Sequence, residues 1–381
     1  LILLETLDLE SYAGGSFSMQ TDFLSVDKVM ATWGSLDAHG PILLAWSAIL
    51  CRVEQVVAAS GSAVNPLEGL ISYSQYGRLG TQLQGADMVL KLLREEAEEA
   101  RVGYTLAHKS ILSGWLVALC SAFFADDLPF YGSLIQLHAE IHRDEPALGD
   151  HFWKQYAEGS PLRTLLDLTR ERFPYEIEPL VSILTTLAAD ATCATTVYFF
   201  LSDLSTYMQT LPEHARRFTQ PIKASDLRAS PQIPLPFALD DNTVYITTTH
   251  PIEIDLITLP IGAVGRVVGF DKSNEPALVQ WAHPHSAWHL FMSFIDNFME
   301  QFRTYVPTIL DADIATLTSI IELFAELFSK QPLMATSVQD HLIETVSHLY
   351  GINSDESDLA ILPRLVQILH TCAYLPRPPL A

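Results

Sequence analysis

VYITTTHPIEIDLITLPIGAVGRVVGFDKSNEPALVQWAHPHSAW, Val244 to Trp288, decides the fold of this chain. Val244 to Thr249 is rich in β-branched residues, which suit a pleated strand. Ile252-Glu-Ile-Asp-Leu256 alternates apolar with acidic, the pattern of a half-buried strand. Gly262 and Gly265 bracket a turn. Arg266 to Phe270 and Ala277 to Ala282 read as strands joined by a hairpin turn at Asp271-Lys-Ser-Asn-Glu-Pro276. Ala287 to Leu290 is expected as a fifth strand. Five short strands in about fifty residues are the usual content of a small barrel.

Helical rhythm runs on both sides of this module. Upstream, Val26, Val29, Met30 and Trp33 fall at helical spacing after Asp22, and Pro41 suits the first turn of a helix over Ile42 to Ala58. Gly61 to Asn65 breaks the pattern. Further helices are expected at Pro66–Tyr76, Met88–Tyr104, Leu106–Ala125, Tyr131–His142, Phe152–Ala157 and Pro161–Phe173. A long helix is expected from Leu180 to Ala194 or further, with Thr196–Leu211 continuing it. Prolines recur at starts and stops, as in stacked antiparallel helices with short connections. Asp226 to Pro236, rich in Ser, Pro and Gln, reads as a linker into the β module. Downstream, Phe291, Phe294, Ile295, Phe298 and Phe302 form one stripe, and Ile314, Leu317, Ile320, Ile321, Phe324 and Leu327 form another. Val338–Leu349 and Leu359–Tyr374 complete the series. The expected organisation is therefore an α-solenoid over 1–230, an inserted SH3-like β-barrel over 231–288 and a second solenoid part over 289–381. No exact repeat is visible, so the helical repeat rests on rhythm.

Composition narrows the function. The 381 residues are 49% hydrophobic and only 18% charged, and mean hydropathy is +0.20. Helices buried on several sides fit those values. The longest mostly apolar run, Ile111 to Ala125, falls short of the ~20 residues a membrane-spanning helix needs. Net charge is −23, with 22 basic residues and no basic run. Such a chain repels phosphate backbones, so direct nucleic-acid binding is not expected. Cys51, Cys120, Cys193 and Cys372 lie far apart in apolar contexts, as buried thiols do in a reducing compartment. The chain opens on Leu1, shows no charged n-region or cleavage site, and reads as a piece of a longer protein.

No motif supplies catalytic machinery, and no catalytic, cofactor-binding or metal-ligating residue is assigned. His138 and His142 have the i, i+4 spacing of a zinc pair, but Glu140 stands in the wrong place for HExxH and no third ligand is evident. His283, His285 and His289 cluster with Trp281 and Trp288. Metal binding or pH sensing is one reading of them, and a proline-containing turn with aromatics covering a barrel end is the other. Gly262, Gly265 and Gly269 lead into a strand rather than a helix, so they do not cradle phosphate. Asp126-Asp127 and Asp240-Asp241 read as caps or turn residues. Pro231-x2-Pro234 and Pro376-x-Pro378-Pro379 read as a stiff linker and a helix stop beside the polyproline-ligand alternative. Trp281, Trp288 and Tyr245 could line a peptide groove, but the first strands lack the dense Tyr pattern of such grooves.

Three segments carry a family resemblance. Trp33-Gly-Ser-Leu-Asp-Ala-His-Gly-Pro-Ile-Leu-Leu-Ala-Trp46 resembles an early segment of the large inner-ring scaffold nucleoporins. Arg172-Phe-Pro-Tyr-Glu176 with Glu178-Pro-Leu180 looks like a second. Leu259-Pro-Ile-Gly-Ala-Val-Gly265, Val279-Gln-Trp281 and Ser286-Ala-Trp288 look like the small barrel inserted in their N-terminal solenoid. The order matches and spans most of the chain, and the barrel favours the one-eighty-eight type over its one-ninety-two sister. The resemblance implies a HEAT/ARM-like, karyopherin-like superhelix and a place in the nuclear pore at the nuclear envelope. It also implies a scaffold role supporting transport of protein and mRNA. Other nucleoporins are the implied partners: linker nucleoporins, phenylalanine-glycine segments and, beyond these, transport receptors. A soluble karyopherin-like transport receptor is the alternative, and the barrel discriminates against it because importin arrays are helical throughout.

Overall fold

The computed structural model describes residues 105–122, 131–158, 163–229, 235–303 except 255, 256, 274 and 284, and 311–341 except 339, together with 28, 44–46, 89 and 90. Two units divide the chain, Leu1–Leu168 and Thr169–Ala381. Apart from residues 28, 44–46, 89 and 90, the helices expected after Asp22 and at Ile42–Ala58, Pro66–Tyr76 and Met88–Tyr104 lie outside the described residues, as do Leu359–Tyr374, most of the helix from Val338, Asp126-Asp127, Cys51, Cys372, and the motifs at Pro231-x2-Pro234 and Pro376 to Pro379.

In the first unit, α1 (Thr105–Ala122), α2 (Tyr131–His142), α3 (Pro146–Glu158) and most of α4 (Arg163–Arg172) follow the apolar spacing. Pro146 opens α3, where a missing N–H costs nothing. Leu112, Leu116 and Cys120 of α1 are buried, as are Leu134, Ile135, Leu137 and Ile141 of α2. The Lys109 ammonium donates to the Arg143 carbonyl at 2.8 Å and lies 3.5 Å from the Glu145 carboxylate, tying α1 to the end of α2.

In the second unit, α5 (Glu178–Leu187) and α6 (Ala191–Ser202) precede a sheet, and α9 (Ala287–Arg303) and α10 (Asp311–Lys330) follow it. A single long helix was expected from Leu180 past Ala194. The chain instead breaks at Asp190, whose carboxylate accepts the Cys193 N–H at 2.8 Å and caps α6. That hydrogen bond holds the Asp190 carboxyl below its usual pKa. Leu180, Ile183, Leu184 and Leu187 of α5 are buried with Leu317, Ile320, Phe324 and Leu327 of α10. This pairing of α5 with α10 is the most extensive between described helices. It joins chain from both sides of the sheet.

Between α6 and α9 the order is β1 (Thr206–Thr210), α7 (Glu213–Arg216), β2 (Thr219–Ile222), α8 (Ala224–Ala229), β3 (Tyr245–Thr248), β4 (Ile252–Ile254), β5 (Ile257–Leu259), β6 (Val264–Phe270) and β7 (Pro276–Ala282). The five-stranded sheet has the order β1-β7-β6-β3-β2, and β4-β5 is a separate hairpin. Every pairing is antiparallel.

β3, β4, β6 and β7 fall where the alternation places them. Three readings are corrected. Thr206–Thr210 is strand, not the end of a helix, because it pairs along its length with β7; a cross-strand partner seventy residues away outweighs a local helical rhythm. The sheet therefore reaches back to Thr206, ahead of 231. Ala287–Leu290 is the first turn of α9, not a fifth strand. The Ser286 N–H donates to His289 Nδ1 at 3.3 Å, a capping-box contact with imidazole in the place of a carboxylate. Part of the expected linker, Ala224–Ala229, is helical.

Candidate functional site

Cross-strand rows position the centre of the sheet. Tyr207, Trp281, Gly265 and Ile246 face one another in register across β1, β7, β6 and β3. Trp281 has no exposed surface. A Cβ on Gly265 would sit 2.5 Å from Val279 Cγ1 and 2.8 Å from the Trp281 ring. Glycine is thus required at 265 for close approach, and at 262 for a turn with φ of 81°. The next row, Met208, Gln280, Arg266 and Tyr245, shows the opposite face. Met208, Gln280 and Tyr245 are buried, so both faces of the sheet are covered here. Phe237 stacks on Tyr245 with ring centroids 6.2 Å apart, and the Asp240 N–H donates to the Tyr245 hydroxyl at 2.9 Å.

The sheet begins and ends at one point. The His283 N–H donates to the Ser205 carbonyl at 2.8 Å, next to the Thr206–Ala282 pair. The Tyr207 hydroxyl donates to the Ser286 carbonyl at 2.5 Å. Burial pushes that phenol's pKa well above its ordinary value. Phe173 meets Tyr207 at 5.8 Å and Phe291 at 5.7 Å between centroids. Its carbonyl accepts the Met208 N–H at 2.7 Å, and the Phe173-Pro174 peptide is cis. Arg172-Phe-Pro-Tyr-Glu176 and the Trp281 and Ser286-Ala-Trp288 segments, singled out separately along the sequence, therefore converge on Tyr207. Of the Trp33–Trp46 segment only 44–46 are described, all buried.

The histidine cluster lies at this joint and gains a member that sequence reading missed. Ring centroids of His283 and His285 are 4.8 Å apart, His285 and His289 4.8 Å, and His289 and His341 5.8 Å. His341 comes from a helical stretch opening at Met334, and its fifty-residue separation from the others left no local signal. His283 stacks on Tyr207 at 4.5 Å. Burial, with lesser repulsion from His285 and His289, lowers His283 to a pKa of about 3; burial also lowers His285.

His138 and His142, in the first unit, stack at 4.2 Å against the edge of Phe152. Both are buried, and neither His138 nitrogen has a hydrogen-bond partner. Glu140 pairs instead with Arg143 at 3.1 Å. Among the described residues, no group of three or more His, Cys, Asp or Glu is placed to hold a metal ion. None of their helices is long and apolar enough to cross a membrane. Asp240 Oδ1 accepts the Asn242 N–H and Asp241 pairs with Arg228, both as turn residues do. Trp281, Trp288 and Tyr245 are buried rather than arranged as an open groove, and Cys120 and Cys193 are buried thiols. Arg216 of α7 reaches the β6–β7 turn, binding Asp271 and Glu275.

No family model matches the chain. Over 365 residues, 92% of its length, it is 24% identical to Nucleoporin NUP188 of Homo sapiens and 25% identical to that of Mus musculus. Over 370 residues it is 25% identical to Nucleoporin NUP188 of Xenopus tropicalis. The chain spans 18–19% of the length of these relatives. The resemblance to nucleoporins of the one-eighty-eight type holds across nearly the whole chain.

Proposed function

We propose that this chain is a segment of the nuclear-pore scaffold, placed at the nuclear envelope, which supports nucleocytoplasmic transport by holding other nucleoporins rather than by turning over a substrate. In this reading the helices stack as an α-solenoid of HEAT/ARM-like, karyopherin-like form. The sheet is an SH3-like barrel set into the solenoid over Thr206–Ala282 rather than 231–288. The observation that carries the reading is the meeting of Ser205 with His283, which lets the helices before and after the sheet share one core. Burial of both faces of the central strands supports a sheet that curls on itself. The likeness to NUP188 over 92% of the chain supports the scaffold role. Stacked helices offer long surfaces and need no pocket, and a net charge of −23 suits basic partner segments. Linker nucleoporins and phenylalanine-glycine segments are the proposed partners.

The test is a pull-down from nuclear-envelope extract with the tagged chain, read by mass spectrometry with and without a GTP-loaded Ran-type GTPase. Recovery of nucleoporins independent of the GTPase is expected. Binding that appears or vanishes with the loaded GTPase overturns the scaffold reading in favour of a transport receptor.

A further inference from the structure

From Leu235 to Asp240 the chain runs without regular secondary structure, and exposure alternates along it. Leu235, Phe237 and Leu239 are half-buried, while Pro236, Ala238 and Asp240 are exposed. Such alternation marks an extended segment with one side laid on a surface. The surface is the row Met208, Gln280, Arg266 and Tyr245. Phe237 stacks on Tyr245, and the Arg266 guanidinium lies 6.0 Å from the centroid of the Phe237 ring. The Tyr245 hydroxyl accepts the Asp240 N–H at 2.9 Å and donates to the Ala238 carbonyl at 3.4 Å. Arg228 of α8 also holds the segment, donating to the Leu239 carbonyl at 3.2 Å and to the Asp241 carboxylate at 2.9 Å. We propose that this row is a recognition face for extended segments of a partner protein in which prolines precede an aromatic residue, and that the strap Leu235–Asp240 occupies it as a built-in ligand.

Two side chains of the row point to a ligand other than the strap. Gln280 is 2% exposed, and its Oε1 has no hydrogen-bond partner. Arg266, its register neighbour, makes no ion pair among the described residues, and its buried Nε has no hydrogen-bond partner either. An acceptor and a donor thus stand on one face with neither satisfied, and leaving such atoms buried and unpaired is costly. A main-chain amide supplies the complement, its N–H to Gln280 and its carbonyl to Arg266. Among its described residues the strap brings a ring to Arg266 but no hydrogen bond to either side chain. A partner segment that reaches both satisfies what the strap leaves open. The strap's own sequence, Pro234-Leu-Pro-Phe237, sets the chemistry of that segment. Prolines hold the extended form in advance, at little entropy cost, and the aromatic residue supplies the ring that covers Tyr245.

The probe is a fluorescent peptide of Ser230 to Asp241, followed by anisotropy against the whole chain, with far-UV circular dichroism as the folding control. A face that is mostly closed lowers apparent affinity by the fraction open, so the wild type should bind weakly. Phe237→Ala removes the strap's ring and should bind the peptide roughly tenfold more tightly, the worth of one aromatic stack. Arg228→Gln loosens the strap without touching the row and should also tighten binding, which keeps the test decisive if Phe237→Ala fails to fold. Untethered, the peptide can settle where its amides reach Gln280 and Arg266, so adding Gln280→Met to Arg228→Gln should weaken it. A peptide with alanine in place of its phenylalanine should bind none of these proteins. Equal affinity of the two peptides, or of wild type and Arg228→Gln for the first, overturns the proposal, as does a Gln280→Met change without effect. An Arg228→Gln protein that sediments as a dimer and takes up no peptide also overturns it, assigning the face to the strap of a second copy.

Discussion

Trp288, in the first turn of α9, donates its indole N–H to the hydroxyl of Ser202 at the end of α6, at 3.0 Å across 86 positions of sequence. Its ring lies 5.7 Å from Phe324 of α10 and 5.8 Å from Tyr198 of α6. The residue thus ties the helix before the sheet to both helices after it. Trp281, equally buried, has an indole N–H with no hydrogen-bond partner.

The two tryptophans should therefore respond differently to phenylalanine. Trp288→Phe loses a hydrogen bond as well as volume, while Trp281→Phe removes a donor that satisfies nothing. A buried hydrogen bond contributes about 1 kcal/mol, so Trp288→Phe should be the more damaging by about that amount. Alanine at either position should cost about 3–5 kcal/mol. Urea unfolding at neutral pH measures both pairs, and equal costs for the two phenylalanine variants would refute the distinction.

Replacing Thr206–Ala282 with a short Gly/Ser bridge from Ser205 to His283 should leave a folded helical protein. Those two residues already touch through the His283 N–H and the Ser205 carbonyl, so a short loop closes with little entropy cost. Phe173 loses its Tyr207 neighbour, and a drop of about 2–5 kcal/mol is expected from that lost packing. Cutting at 240 instead would strand β1 and β2, whose partners are β7 and β3. The check is a cooperative thermal melt by far-UV circular dichroism. A chain that loses its helical signal or melts without cooperativity would make the sheet integral to the helices.

Much of this architecture was legible in the sequence because its signals are local. Ile252-Glu-Ile announces a strand by alternation, and the Phe291–Phe298 stripe announces α9 by period. Thr206–Thr210 is not legible, since its partner β7 is distant in the sequence and its neighbours continue a helical rhythm. Ala287–Leu290 reads as strand along the sequence because so short a span carries no period, and its place in the first turn of α9 emerges only from the structure. At the site, the proximity of His283, His285 and His289 followed from spacing, whereas His341 arrives only through packing.

Gly265→Ala is expected to destabilise the sheet by about 1–3 kcal/mol, the usual cost of overpacking. The new methyl would need Val279 and the Trp281 ring to move, and both are wholly buried. Gly132→Ala on α2, where a Cβ meets nothing within 4 Å, serves as the control and should be neutral or stabilising. Denaturant midpoints compare them, and a neutral Gly265→Ala would show that the tryptophan can shift.

The stacked pair His138 and His142 makes the first unit acid-sensitive by a route of its own. Its pKa values fall on folding, His142 from 6.5 to about 4, chiefly through burial, and His138 well below its ordinary value, through burial first and repulsion from His142 second. The unfolded chain therefore binds protons first. Stability should be complete above pH 6.5 and decline steadily as pH falls toward 4, by roughly 3 kcal/mol for His142 over that span. The Nδ1–H of His142 donates to the His138 carbonyl at 2.9 Å, which favours a proton on the ring and partly offsets the effect of burial. His138 bonds to nothing through its nitrogens. His138→Phe should keep the stack on His142 and Phe152, remove two unsatisfied buried atoms and add about 1–3 kcal/mol of stability at pH 7. The gain should widen at pH 5, because the variant has one fewer proton to exclude. Chemical denaturation of both proteins at the two pH values measures this, and a gain that shrinks on acidification would show that His138 is not buried in its neutral form.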